Sequence, residues 1–160
     1  MSGGDWRIWL ERHGGALQLF AAQWAHGRAE DAVQEGFVRF WKNRDRAGDR
    51  VAYLYACVRT AALDLQRGEQ RRMLREQAAG RSEATFFECP AEHAELRSAV
   101  EAALAQLPEE QREVVVMKVW GGLTFAQIAE ALHLSLNTAT SRYRYGMQKL
   151  ETLLGREVKS

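Results

Sequence analysis

Proline is almost absent. Pro90 and Pro108 are the only two in a chain of 160 residues, so long uninterrupted helices are permitted. Cysteine is equally scarce. Cys57 and Cys89 stand far apart and form no CxxC pair, which argues against a disulfide framework and makes a reducing, cytoplasmic compartment the expectation. No apolar run approaches the length of a membrane span. The N-terminal stretch lacks a basic segment followed by an apolar one, so neither membrane insertion nor a secretion signal is expected. A glycine-rich phosphate loop and a G-x-S-x-G elbow are both missing. Cys89 and His93 stand four apart, but Pro90 interrupts that turn and no second ligand pair is near. An enzyme is therefore poorly supported, and no cofactor or metal is expected.

A net charge of +1 also looks like a deficiency, but it hides segregation. Residues 39–75 carry ten Lys or Arg against four Asp or Glu, residues 83–113 two against eight, and residues 118–160 six against three. Two basic blocks flank an acidic one, so a polyanion could touch both ends and avoid the middle. Solvated helix faces would also produce such runs.

What is present is helical periodicity, and it predicts an all-α protein of two small domains. Leu10, Leu17, Phe20 and Trp24 give a first helix over Trp6 to Trp24, weakened at Gly14-Gly15 and ended by His26-Gly27. Val33, Phe37, Phe40 and Trp41 form one apolar stripe of a second helix, Ala29 to Asn43. The polar, glycine-containing segment Arg44 to Arg50 is a loop. A third helix, Val51 to Arg67, presents Leu54, Val58, Ala61 and Leu65. These three helices close a domain over residues 1–68. Residues 69–92 have little periodicity and form a linker, whose basic start can extend the third helix; Phe86-Phe87 within it can dock on a neighbour. A second domain covers 93–160. Leu96, Val100, Leu104 and Leu107 keep helical spacing, and Pro108 suits the first position of the next helix, which Gly121-Gly122 ends near Trp120.

The strongest local pattern comes next. Thr124 followed three residues later by Gln127 is a capping box. It opens a short helix burying Ile128, Ala129 and Leu132. His133-Leu134 makes a tight turn, and Ser135 caps a final helix, Leu136 to about Leu154, which buries Leu136, Ala139, Tyr143, Leu150 and Leu154. A short helix, a tight turn and a longer helix make the helix-turn-helix that lays its second helix in the major groove of double-stranded DNA. The opposite face of that helix carries Asn137, Thr140, Ser141, Arg144, Tyr145 and Lys149, side chains able to hold phosphates or read base edges. An ordinary helical hairpin with a polar face would show the same pattern.

Two motifs in order give a family. AEDAVQEGFVRFW, from Ala29 to Trp41, resembles the second conserved region of bacterial sigma factors, and Leu104 to Leu150 resembles the fourth. Their order, their linker and the short chain resemble the extracytoplasmic-function class, which keeps only these two regions. The resemblance implies a transcription initiation factor that binds core RNA polymerase and directs it to promoters. It implies that Asp31, Gln34 and Glu35 dock on a coiled coil of the largest polymerase subunit; their spacing puts them on one helix face, off the apolar stripe. It implies that the loop from Lys42 to Arg50 and the start of the third helix capture unpaired bases of the downstream promoter element. There Tyr53 stands where the family usually has Trp. An aromatic side chain at that position can stack on a base or simply pack, half-buried. Arg44, Arg46 and Arg50 then hold the backbone, and Arg59 and Arg67 follow phosphates. In the fourth region, Lys118 matches a phosphate contact, and Thr140, Ser141, Arg144 and Tyr145 match positions facing the upstream element. Arg142, of the family's Ser-Arg pair, serves structure or a phosphate.

Some positions depart from the family. Thr140 replaces a common Lys or Arg, the positions around Tyr145 and Met147 are less basic, and Thr60 replaces an Asn. Three rivals follow: a sigma-like mimic that binds an anti-sigma factor without binding DNA, an unrelated helix-turn-helix regulator, and the poorly supported enzyme. Whether an anti-sigma factor partners this chain stays open at this point.

Overall fold

A computed structural model describes residues 5–46, 48–76 and 94–159. All regular structure among them is helical, in the order α1 (Asp5–Ala22), α2 (Ala29–Asn43), a 3-10 turn (Arg44–Arg46), α3 (Arg50–Glu76), α4 (Ala94–Gln106), α5 (Glu109–Val119), α6 (Phe125–Leu132) and α7 (Leu136–Lys159). The chain divides into two compact units, Met1–Phe87 and Glu88–Ser160. Phe86, Phe87, Cys89 and His93 fall outside the described residues.

In the first unit α1, α2 and α3 pack around Leu17, Phe20, Phe40, Leu54, Tyr55 and Val58, all fully buried. The rings interlock at near-perpendicular or tilted angles: Phe20 lies 5.2 Å from Tyr55 and 5.1 Å from Trp24, and Trp9 lies 5.3 Å from Phe40. Such offset geometry is favoured by the ring quadrupoles. Alanines fill the rest, with Ala21, Ala32, Ala52, Ala61 and Ala62 all buried. Their small side chains let α2 and α3 approach closely, and Gly36 carries this to its limit: a Cβ there would stand 2.5 Å from the Val58 Cα.

In the second unit α7 packs against α4, α5 and α6, over a core of Leu104, Val114, Met117, Leu123, Ile128 and Ala139. Here too a glycine marks a tight crossing. A Cβ on Gly146 of α7 would meet the Val115 Cγ2 at 2.8 Å.

Several expectations shift. Helix α1 runs unbroken through Gly14-Gly15 and ends at Ala22, although Trp24 beyond it is still buried. Leu10 is exposed, because its neighbour Trp9 takes the core side against Phe40 and a one-residue step turns Leu10 away. Helix α3 continues past Arg67 to Glu76, so the basic start of the linker does extend it. Phe37, Trp41 and Leu65 are only half-buried. Pro108 is the cap of α5 rather than its first helical residue, with an extended ψ of 145°. In α6 it is Ala131, not Ala129, that is buried beside Ile128. Leu136 is 55% exposed instead of buried. As the first residue of α7, its side chain lies over the preceding turn rather than over the core, and the buried stripe begins at Ala139.

Candidate nucleic-acid interface

The helix-turn-helix is closed by local hydrogen bonds that its sequence specifies. The Gln127 backbone N–H donates to Thr124 Oγ1 at 3.1 Å, and the Thr124 N–H donates to Gln127 Oε1 at 2.9 Å, a complete capping box. His133 ends α6 in the left-handed conformation, φ 56°, and the Leu134 N–H returns to the Ala129 carbonyl at 2.9 Å. Left-handed backbone is unusual for a side-chain-bearing residue, so this turn is held by its bonds on both sides. The Thr138 N–H then donates to Ser135 Oγ at 3.1 Å, capping α7. Upstream, Gly122 adopts φ 68°, a value glycine reaches without cost, and ends α5.

This frame displays one face of α7. Asn137, Arg144, Tyr145 and Lys149 are exposed, and Thr140, Ser141 and Arg142 are half-buried. The steps from Asn137 through Thr140 and Ser141 to Arg144 and Tyr145, then Lys149, follow successive turns and form one row. The Thr140 hydroxyl is engaged with the Leu136 and Asn137 carbonyls at 3.1 and 3.0 Å, which leaves it an acceptor toward solvent. The Arg144 guanidinium lies 5.5 Å from the Tyr145 ring centroid, so these two side chains share one place on the row. Leu136 is the residue that sequence periodicity misplaces; its exposure puts a large apolar side chain at the start of the same helix.

Lys118 is placed differently. Its Nζ donates to the Leu123 carbonyl at 3.1 Å and sits 4.5 Å from the Phe125 ring centroid. The row therefore lies on α7 while this lysine lies on α5, just before the motif.

In the first unit Asp31, Gln34 and Glu35 are all exposed on α2, opposite buried Ala32, Val33, Gly36 and Phe40. Two arginines absent from the sequence reading hold the carboxylates. Arg28 bridges Asp31 at 3.2 Å and Glu69 of α3 at 3.6 Å; Arg39 bridges Glu35 at 3.1 Å and Asp64 of α3 at 3.3 Å. The i,i+4 spacing of Glu35 and Arg39 was a legible signal, but the reach to α3 depends on how the helices cross.

The residues expected to meet melted DNA separate. The Arg44 side chain folds back, its guanidinium 4.0 Å over the Trp41 ring and donating to the Trp41 carbonyl. Arg50 pairs with Asp45 at 3.4 Å. Arg46 belongs to the 3-10 turn, and its side chain lies outside the described residues. Tyr53 is half-buried, 6.0 Å from Phe40, and burial raises its phenol pKa, helped by a hydrogen bond with Cys57. Arg59 lies 5.4 Å from the Trp24 ring, and Arg67 is 70% exposed beside Asp64. No group of three or more His, Cys, Asp or Glu among the described residues could hold a metal ion. No helix among them is long and apolar enough to cross a membrane.

Comparison with known proteins finds two sigma-factor regions. The family model "Sigma-70 region 2" matches residues 10–72, and "Sigma-70, region 4" matches residues 97–150. The chain is 31% identical over 156 residues to the ECF RNA polymerase sigma factor SigL of Mycobacterium tuberculosis, covering 93% of this chain and 81% of that one. It is 29% identical over 140 residues to the ECF RNA polymerase sigma factor SigK of Mycolicibacterium vanbaalenii, covering 81% and 70%. In fold it is similar to the sigma factor RpoE of Bartonella quintana, solved in complex with the anti-sigma factor NepR, at a TM-score of 0.69 and 21% identity over 95% of this chain and 98% of that one. It is also similar to CnrH, solved in complex with the cytosolic domain of CnrY, at a TM-score of 0.63 and 25% identity over 94% and 88%. The chain belongs to the ECF class of sigma-70 RNA polymerase sigma factors, and its function is transcription initiation.

Proposed function

We propose that this sigma factor acts in the cytoplasm, docking on core RNA polymerase through Asp31, Gln34 and Glu35 and reading duplex DNA of the upstream promoter element with α7. The observation that carries the reading is the polar row from Asn137 to Lys149, with Asn137, Arg144, Tyr145 and Lys149 exposed, presented by a helix-turn-helix whose three caps are all formed. Arg144 is the base reader, because a guanidinium can hold a guanine edge with two parallel hydrogen bonds. Lys149 holds phosphate and adds affinity with little sequence preference. In the first unit, Tyr53 meets the unpaired downstream bases, with Arg46, Arg50, Arg59 and Arg67 along the strand. Arg44 is withdrawn from that set, since its guanidinium is engaged with Trp41.

An anti-sigma protein is the natural regulator within the same proposal, since the similar sigma factor RpoE was solved in complex with one. The decisive experiment is reconstituted transcription with core polymerase and genomic template. Start-site selection above that of core enzyme alone is expected. Polymerase binding without start-site selection would instead identify a sigma-like mimic.

A further inference from the structure

Lys118 stands in the last turn of α5, where an ammonium could face either DNA or the protein. It is half-buried and doubly engaged, with its Nζ donating to the Leu123 carbonyl at 3.1 Å and lying 4.5 Å from the Phe125 ring centroid. That carbonyl belongs to the residue just before the Thr124 cap, so the lysine fixes the α5–α6 turn at the point where α6 starts. Phe125 in turn meets Tyr143 of α7 edge-on at 5.3 Å. One ammonium thus links three helices: α5 through its own backbone, α6 through Leu123 and Phe125, and α7 through Tyr143. A cation over a ring and a charge-assisted bond to a carbonyl are both directional contacts. Moving Nζ out to a phosphate would forfeit both and strand the carbonyl of fully buried Leu123.

We propose that Lys118 is a positioning residue for the recognition helix and not a phosphate contact. It holds Phe125 against Tyr143, and through that pair sets the angle at which the row from Asn137 to Lys149 is offered to DNA. This rests on the proposed reading of α7 as the DNA-facing helix, and it reassigns a cation that the family resemblance places on the DNA backbone.

The test uses the full chain assembled with core polymerase, on a promoter duplex recovered by binding-site selection. Lys118→Met should weaken binding about three- to tenfold, the scale of one net hydrogen bond and one exposed cation–π contact, and leave the slope of log affinity against log salt unchanged. Lys118→Arg should restore affinity. Phe125→Leu should weaken binding in its own right, and the double variant Lys118→Met/Phe125→Leu should be little worse than the weaker single variant, because the two residues act through one contact. A salt slope reduced by about one unit in Lys118→Met, or fully additive losses in the double variant, would overturn the proposal.

Should Lys118→Met fail to fold, NMR of the unsubstituted chain decides the matter. The Lys118 Cε protons should be ring-shifted by Phe125 in the free protein and stay so when the duplex is added. Collapse of that shift on DNA binding would also overturn the proposal. The underlying reading fails in a different way. If neither Arg144→Ala nor Lys149→Ala alters duplex binding, α7 is not the DNA-facing helix, whatever Lys118 does.

Discussion

Arg144 and His13 show how differently single side chains earn a role. Arg144 is exposed on α7 and leans toward Tyr145. If it reads a guanine, Arg144→Ala should relax sequence choice at one base pair, a discrimination of about 1–3 kcal/mol. Binding-site selection with the variant checks this: the same consensus recovered at the same stringency would leave base reading to Thr140, Ser141, Tyr145 or DNA shape. His13 lies at the other end of the chain, half-buried and 5.4 Å from the Trp9 ring. Its pKa is lowered from 6.5, first by desolvation and then by the charge of Arg12. The folded state therefore binds the proton less readily than the unfolded chain. The stability tied to this histidine is present above pH 6.5 and is lost as pH falls through the lowered value. His13→Gln should flatten the loss of stability between about pH 7 and pH 5, read as urea midpoints; an unchanged slope would exclude His13 as its source.

At the scale of elements, two glycines decide where helices can cross. Alanine is the better helix former by roughly 1 kcal/mol, so Gly36→Ala would stabilise α2 in isolation. In the folded unit the new Cβ would stand 2.5 Å from the Val58 Cα, and backbone cannot move aside cheaply. Overpacking of this kind costs about 1–3 kcal/mol and outweighs the propensity. At Gly146 the nearest atom is a valine methyl at 2.8 Å, which can give way more easily. Urea unfolding should therefore rank Gly36→Ala as more destabilising than Gly146→Ala, and the reverse order would contradict the crossing geometry. The caps offer a milder test. Thr124→Ala removes the acceptor for the Gln127 N–H and should cost about 1 kcal/mol, measurable in the same way.

Across the whole molecule, the proposed reading gives polymerase docking and melted DNA to the first unit and duplex DNA to the second. Asp31, Gln34 and Glu35 lie off the buried face of α2. Asp31 and Glu35 already belong to ion pairs that reach α3, and exposed pairs of this kind contribute only about 0–1 kcal/mol. Replacing the three residues together, Asp31 and Glu35 by Lys and Gln34 by Ala, should abolish core polymerase binding while leaving helical content and cooperative unfolding in place. A pull-down with unchanged affinity would remove these residues from the docking surface.

The sequence by itself determined the elements. The bounds of α2, the capping box at Thr124 and Gln127, the Ser135 cap and the tight turn before α7 depend on residues within four positions of one another, and short-range patterns encode short-range bonds. It also made the exposed row of α7 legible, since a period of 3.6 residues assigns faces wherever one face is plainly apolar. Only the tertiary structure decided which equivalent positions were used. Leu10 and Leu136 fit the apolar spacing but stay exposed, whereas Gly36 and Gly146 give no hydrophobic signal and mark close helix crossings. The cations divide for the same reason. Arg44 and Lys118 look in sequence like Arg67 and Lys149, but a ring and a backbone carbonyl brought near by folding draw the first two inward, and a sequence pattern carries charge without carrying the distance to what that charge will meet.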